Sequence, residues 1–266
     1  KKSKKLLIRK KLSSFNVIDY QILFLFGLIT LICIYLDFYY KNSNFAISFI
    51  FTTLISSIIT FVSIPKLKKI KIKQIIREQG PPNHFLKEGT PTMGGVFFIP
   101  IGIIITNILY FNTYNYKIIL ALSFLILCFM FIGLIDDLLS LKKQFNTGLT
   151  SNQKLILQLF ISLIFIFICA SNNYIPHSIQ IANRVINLGN LVYPLGIFVL
   201  LAESNSTNLT DGLDGLLSGC SVLIFTGLAI TILIENPSNN PTLAPLCIVM
   251  AGACMGFLFL NKYPAK

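Results

Sequence analysis

Tryptophan is absent from this 266-residue chain, histidine occurs twice, and only ten residues are acidic. Charged residues make up 12% of the chain, roughly half the share usual in soluble domains. No polar stretch is long enough to enclose a core of its own, so a separate soluble domain is excluded. No Cys-x-x-Cys pair occurs and no histidine lies near enough to a cysteine to complete a zinc set. The six cysteines, Cys33, Cys128, Cys169, Cys220, Cys247 and Cys254, fall in or beside apolar segments and read as packing residues.

What fills the chain is apolar: 54% of residues are hydrophobic and the mean hydropathy is +0.74. Eight runs suit helices crossing an apolar layer about 30 Å thick: 22–36, 45–64, 96–110, 118–135, 155–170, 188–202, 216–234 and 243–260. The sixth is interrupted by Pro194 and Gly196. The runs are continuous rather than alternating, which favours helices over barrel strands. The expected fold is all-α, a polytopic transmembrane helical bundle forming one integral membrane domain over residues 1–266. The first run leads into this pattern without a small-residue cleavage site, so no cleavable leader is expected.

Alternate connections share a side, and 65–95, 136–154, 202–215 and the tail from Asn261 form one set. That set holds seven of the ten acids, with Asp19, Asp37 and Glu235 assigned to the other side. With the basic N-terminal segment also assigned to that other side, lysines and arginines divide 12 against 10, a margin too thin to orient the chain. The loop KLKKIKIKQIIR still marks the motif side as cytoplasmic. The formal net charge of +12 comes without an RNA-binding or helix-turn-helix pattern. Anionic membrane lipids and a phosphorylated substrate are the expected partners rather than nucleic acid.

Four aspartates in this acid-poor chain stand at ends of apolar runs: Asp136 and Asp137 in IGLIDDLLS, and Asp211 and Asp214 in NSTNLTDGLDGL. A carboxylate near a bilayer is costly unless it faces water, a metal or a partner, so these read as a functional site. Adjacent carboxylates on a helix point about 100° apart, so Asp136 and Asp137 can share one cation only if the helix is ending there. Asn208, Asp211 and Asp214 are spaced by three and form one stripe if helical; the plainer alternative is a pair of Asp-Gly turns. Asn205 belongs to the same polar set. In REQGPPNHFLKEGTPTMGG, turn formers let Lys87 and Thr92 present a charge and a hydroxyl, or simply connect two spans. Lys142, Lys143 and Lys154 read as a solvated basic face. His84 and His177 read as bystanders.

Taken together, KEGTPTMGG at 87–95, IGLIDD at 132–137, GLTSNQKLILQ at 148–158 and NSTNLTDGLDGL at 205–216 closely resemble the phospho-N-acetylmuramoyl-pentapeptide transferases. The resemblance covers the chain from about Lys66 onward, in order and spacing. It implies transfer of phospho-N-acetylmuramoyl-pentapeptide from its UDP carrier to undecaprenyl phosphate, with release of UMP and with Mg²⁺ as cofactor. It implies a ten-span fold in a bacterial plasma membrane, or that of a bacterium-derived organelle, with the site on the cytoplasmic face, and it is compatible with a homodimer. By motif, Asp136 and Asp137 take the catalytic positions and, with Asp211, the metal positions. Lys87, Thr92, Asn205, Asn208, Asp211 and Asp214 take substrate-binding positions. The chain begins at Lys1 rather than Met, and its NKYPAK end stops short of a further magnesium-binding aspartate and a histidine-rich loop of the family. A truncated chain, inactive by itself, is therefore expected. Another polyprenyl-phosphate sugar-1-phosphate transferase, a transporter with intramembrane carboxylates and a non-catalytic fragment are the competing readings.

Overall fold

The computed structural model describes residues 2–40, 43–69, 93–112, 116–143, 148–181, 184–235, 243–263 and 265. Among these residues eight α-helices run in chain order: α1 Lys2–Tyr39, α2 Phe45–Lys69, α3 Gly95–Tyr110, α4 Tyr116–Lys143, α5 Ser151–Ser171, α6 Val192–Thr210, α7 Leu216–Glu235 and α8 Ala244–Asn261. Six of them carry a stretch long and apolar enough to cross a membrane. The two that fall short are α3, with 16 residues, and α6, whose last turns read AESNSTNLT. α3 begins beside one polar cavity and α6 runs toward it, residues 95–99 and 203–208 lining it in part. The all-α expectation is met apart from one small hairpin between α5 and α6, β1 Ser178–Ile181 and β2 Arg184–Asn187, paired antiparallel with Ile179 opposite Ile186. His177 ties the hairpin's base down, its carbonyl accepting Leu188 N at 2.8 Å while its ring meets that of Tyr193 edge-on at 5.7 Å.

The bundle is built around α8, which packs on α2, α3 and α7. Lipid offers no hydrophobic force between helices, so close approach depends on small residues and shared hydroxyls. A Cβ added at Gly252 would stand 2.8 Å from the Phe49 carbonyl oxygen, and one at Gly256 would stand 2.6 Å from Ser56 Cβ. The closeness lets Ser56 Oγ donate to the Ala253 carbonyl at 2.8 Å. Phe45, Phe49, Ile29, Cys33, Val222 and Met255 fill the core beside this seam. Asp37 is a cap rather than a reactive acid: its two oxygens accept Phe45 N at 2.6 Å and Ala46 N at 2.8 Å, at the start of α2 where negative charge is favourable.

One expectation is overturned. Lys262, at the end of α8, forms an ion pair with Asp19, at the start of the apolar stretch Val17–Tyr39 of α1. The start of that stretch therefore lies on the same side as the tail, as an even number of spans requires, and Asp19 with the basic N-terminal segment before it belongs to the motif side. The apparent conflict of charges came from assigning that segment to the wrong face.

Candidate active site

Asp136 and Asp137 do not end a helix: α4 continues to Lys143, so the two carboxylates diverge. Asp136 turns toward α5. Its Oδ1 accepts Leu149 N at 2.9 Å and its Oδ2 lies 2.9 Å from Lys154 Nζ, with both side chains largely withdrawn from water. The start of α5 fixes this pairing. Thr150 Oγ1 accepts Gln153 N and the Gln153 side chain accepts Thr150 N, a reciprocal cap that leaves Lys154 in the first turn. Gly148 is required, since a Cβ there would overlap the Asp136 backbone and stand 2.6 Å from its Oδ1.

Asp137 turns the other way, is partly buried, and accepts the backbone N–H of Met93. Met93 holds φ +69°, a region uncommon for residues with a side chain, which aims that N–H at the carboxylate. Asp137 is within electrostatic reach of Asp136, Lys154 and Asp211.

On the facing side the stripe of three is only partly helical. Asn208 lies in the last turn of α6, and Asp211 is the residue that ends it, its N–H donating to Thr207 O at 3.2 Å. Asp214 lies in the turn before α7, where its Oδ2 accepts Ala265 N at 3.1 Å. Gly215 closes the turn at φ +79°, and a Cβ added there would stand 3.5 Å from Lys262 Cα. Of the two Asp-Gly pairs, only this glycine has a left-handed backbone. Asn205 does not face substrate space as expected. Its amide donates to Gln158 Oε1 at 3.0 Å and to Leu201 O at 2.7 Å, while buried Gln158 also donates to Ser204 Oγ at 2.9 Å.

These groups surround one cavity of about 680 Å³, lined by Asp136, Asp137, Lys154, Asn208, Asp211 and Asp214. Its deeper wall is apolar and includes Phe97, Phe129 and Phe257. Negative charge on both sides with a lysine between suits a substrate that is itself anionic and arrives with cations. Among the described residues no three of His, Cys, Asp or Glu gather as a cation-holding group. Of the expected metal positions Asp136, Asp137 and Asp211, Asp136 is paired with Lys154. Lys87 and Thr92 lie outside the described residues.

Sequence reasoning missed Lys154, taken for a solvated face, and Gln158. The signal for the first was present: Thr150-x-x-Gln153 is a capping pattern that places Lys154 one turn into a helix.

Residues 119–266 match the family model described as glycosyl transferase family 4, and residues 87–99 match signature 1 of phospho-N-acetylmuramoyl-pentapeptide-transferase. A phospho-N-acetylmuramoyl-pentapeptide-transferase of Prochlorococcus marinus strain NATL2A is 78% identical over the whole of this chain and 72% of its own length. One from a second strain of Prochlorococcus marinus is 46% identical over 94% of this chain and 68% of its own. One from Synechococcus sp. strain CC9311 is 42% identical over 86% and 62%. With this identity and coverage added to the two motif-bearing faces of one cavity, the chain belongs to the phospho-N-acetylmuramoyl-pentapeptide-transferase family.

Proposed function

We propose that this chain transfers phospho-N-acetylmuramoyl-pentapeptide from its UDP carrier to undecaprenyl phosphate, releasing UMP and forming the lipid-linked precursor of peptidoglycan. The observation that carries this reading is a single cavity with four aspartates and Lys154 at its polar end and apolar helices behind. A substrate that is phosphate at one end and isoprenoid at the other needs both. A phosphate oxygen of the lipid attacks the sugar-bearing phosphorus of the nucleotide, and the bond from that phosphorus to the bridging oxygen breaks. UMP leaves with the bridging oxygen. Little covalent chemistry is left for the protein, whose task is positioning and charge neutralisation.

The donor chemistry of the cavity fits Mg²⁺, which is usually held through one or two carboxylates together with substrate phosphates rather than by a protein cage. Asp137 and Asp211 would hold it, and when bound it would draw charge from the phosphoryl oxygens. Asp136, tied to Lys154, keeps that ammonium at the cavity wall. Asn208 and Asp214 line the cavity and are assigned by motif to substrate binding, Asn205 positions α6, and by motif Lys87 and Thr92 approach the nucleotide and its phosphates.

The chain is read as one membrane domain of a bacterial plasma membrane with the cavity facing the cytoplasm. With α1 starting on the motif side, 19 of 22 lysines and arginines fall there by connectivity, against Lys41, Lys117 and Arg184 opposite. UDP-linked substrates are made on that face. The deciding assay, run at full length because the chain by itself is expected to be inactive, is UMP release from UDP-N-acetylmuramoyl-pentapeptide and undecaprenyl phosphate with and without Asp136→Asn, Asp137→Asn and Asp211→Asn. A loss of two orders of magnitude or more is expected in each; wild-type turnover in all three removes the assignment.

A further inference from the structure

Asp19 lies in α1, remote in sequence from every motif of the cavity and outside the residues matched by the family model and the signature. It nevertheless reaches the cavity through two steps. Its carboxylate pairs with the ammonium of Lys262, the residue that ends α8 and whose N–H bonds Leu258 O at 3.0 Å. The backbone about Lys262 in turn lies over the aspartate turn: a Cβ added at Gly215 would stand 3.5 Å from Lys262 Cα and 3.6 Å from Asn261 O, and three residues on, Ala265 N donates to Asp214 Oδ2. Asn261 and Ala265 line the cavity themselves.

Two physical points favour this connection. A cation is favoured at the C-terminal end of a helix, so Lys262 is held at α8 before Asp19 is considered. One turn further along α1, Ile22 is buried in the cluster that contains Leu258, which brings α1 and the end of α8 together at the level of the ion pair. Asp19 therefore adds a fixed direction to a lysine already close to it, and Asn261 and Ala265 on either side of that lysine inherit the direction.

We propose that Asp19 is a positioning residue for the cavity: by fixing Lys262 it seats Asn261 against Gly215 and Ala265 against Asp214 and so holds the Asp211–Gly215 turn at the cavity wall. The inference rests on reading the cavity as the transfer site only for its effect on turnover; the effect on the turn is independent of it. The test compares the whole chain in lipid nanodiscs with Asp19→Asn, Asp19→Glu and the charge exchange Asp19→Lys with Lys262→Asp. Two readouts are taken: hydrogen exchange at the Asp211, Leu216 and Ala265 amides, and kcat and KM for UMP release. In Asp19→Asn, exchange at these amides should accelerate by about tenfold while the middle of α5 keeps its protection. The kcat should fall by about tenfold with KM for the lipid little changed. Asp19→Glu and the exchanged pair should restore both. Unchanged exchange at the turn in Asp19→Asn overturns the proposal, as does acceleration spread equally over all helices or failure of both rescues. UMP release bears on the functional reading alone, and the exchange data decide the role of Asp19 whether or not the chain turns over.

Discussion

Lys154 Nζ and Asp136 Oδ2 meet at 2.9 Å across the gap between α5 and α4, in a place where each is mostly shielded from water. Charges so placed are strongly interdependent: removing one leaves the other desolvated and unpaired. Lys154→Met should lower kcat for UMP release by about 100-fold or more. The double variant with Asp136→Asn should lose much less than the product of the two single losses, because both disrupt one unit. Independent, multiplicative losses would show that the pair does not act together.

Gly148 allows the loop before α5 to lie against α4. A methyl group there would overlap the Asp136 backbone and crowd Ser140 Oγ at 2.7 Å. Overpacking of this kind costs about 1–3 kcal/mol. Gly148→Ala should lower the thermal midpoint in detergent and also lower kcat, since Leu149 N must move from Asp136 Oδ1. Gly227→Ala, where nothing lies within 4 Å, is the control and should leave both readouts near wild type.

The helices and the shared face of the four aspartates were legible because both are written in local pattern: apolar runs of the right length, and acids where such runs stop. The direction of each carboxylate was not. Whether Asp136 meets a metal or a lysine depends on how α5 returns beside α4, which a one-residue spacing does not encode. Nor does spacing reveal that Asn205 faces Gln158, a contact spanning 47 positions. The placement of the N-terminus was legible and misassigned, since an even count of spans returns the chain to its starting face; the Asp19–Lys262 pair makes that visible. The hairpin escaped because SIQI and RVIN are too short to stand out from loop.

Divalent ion removal separates the two acids on α4. Asp137 faces the cavity with Met93 N as donor, whereas Asp136 already holds a cation. Chelation should abolish UMP release and added Mg²⁺ should restore it. Asp137→Asn should raise the Mg²⁺ concentration for half-maximal rate by about tenfold or more, a change of about 1.4 kcal/mol in apparent affinity, while Lys154→Met should mainly lower the plateau. Equal Mg²⁺ requirements in Asp137→Asn and the parent would take Asp137 out of the metal role.

Orientation can be read without activity. Asn152 is exposed at the start of α5, on the same side as the cavity. An Asn152→Cys thiol should react with a membrane-impermeant maleimide in inside-out vesicles and stay unlabelled in intact cells. The opposite labelling would place the cavity outside the cytoplasm despite the distribution of lysine and arginine.

Gln158 is 2% exposed and joins α5 to α6 through Ser204 and Asn205. Gln158→Leu keeps the bulk but removes the donor to Ser204 Oγ and one of the two acceptors of the Asn205 amide, which keeps Leu201 O, at about 0.5–1.5 kcal/mol per hydrogen bond lost. The thermal midpoint should fall. Asn208 and Asp211 lie one and two turns further along α6, so a helix freed to rotate carries both away from the cavity, and KM for the nucleotide substrate should rise. Ser204→Ala also removes a partner of Gln158 but leaves its bond to Asn205, and should be the milder change in both measurements. If Gln158→Leu lowers the midpoint with kcat and KM intact, the bridge stabilises the bundle and has no part in aiming α6.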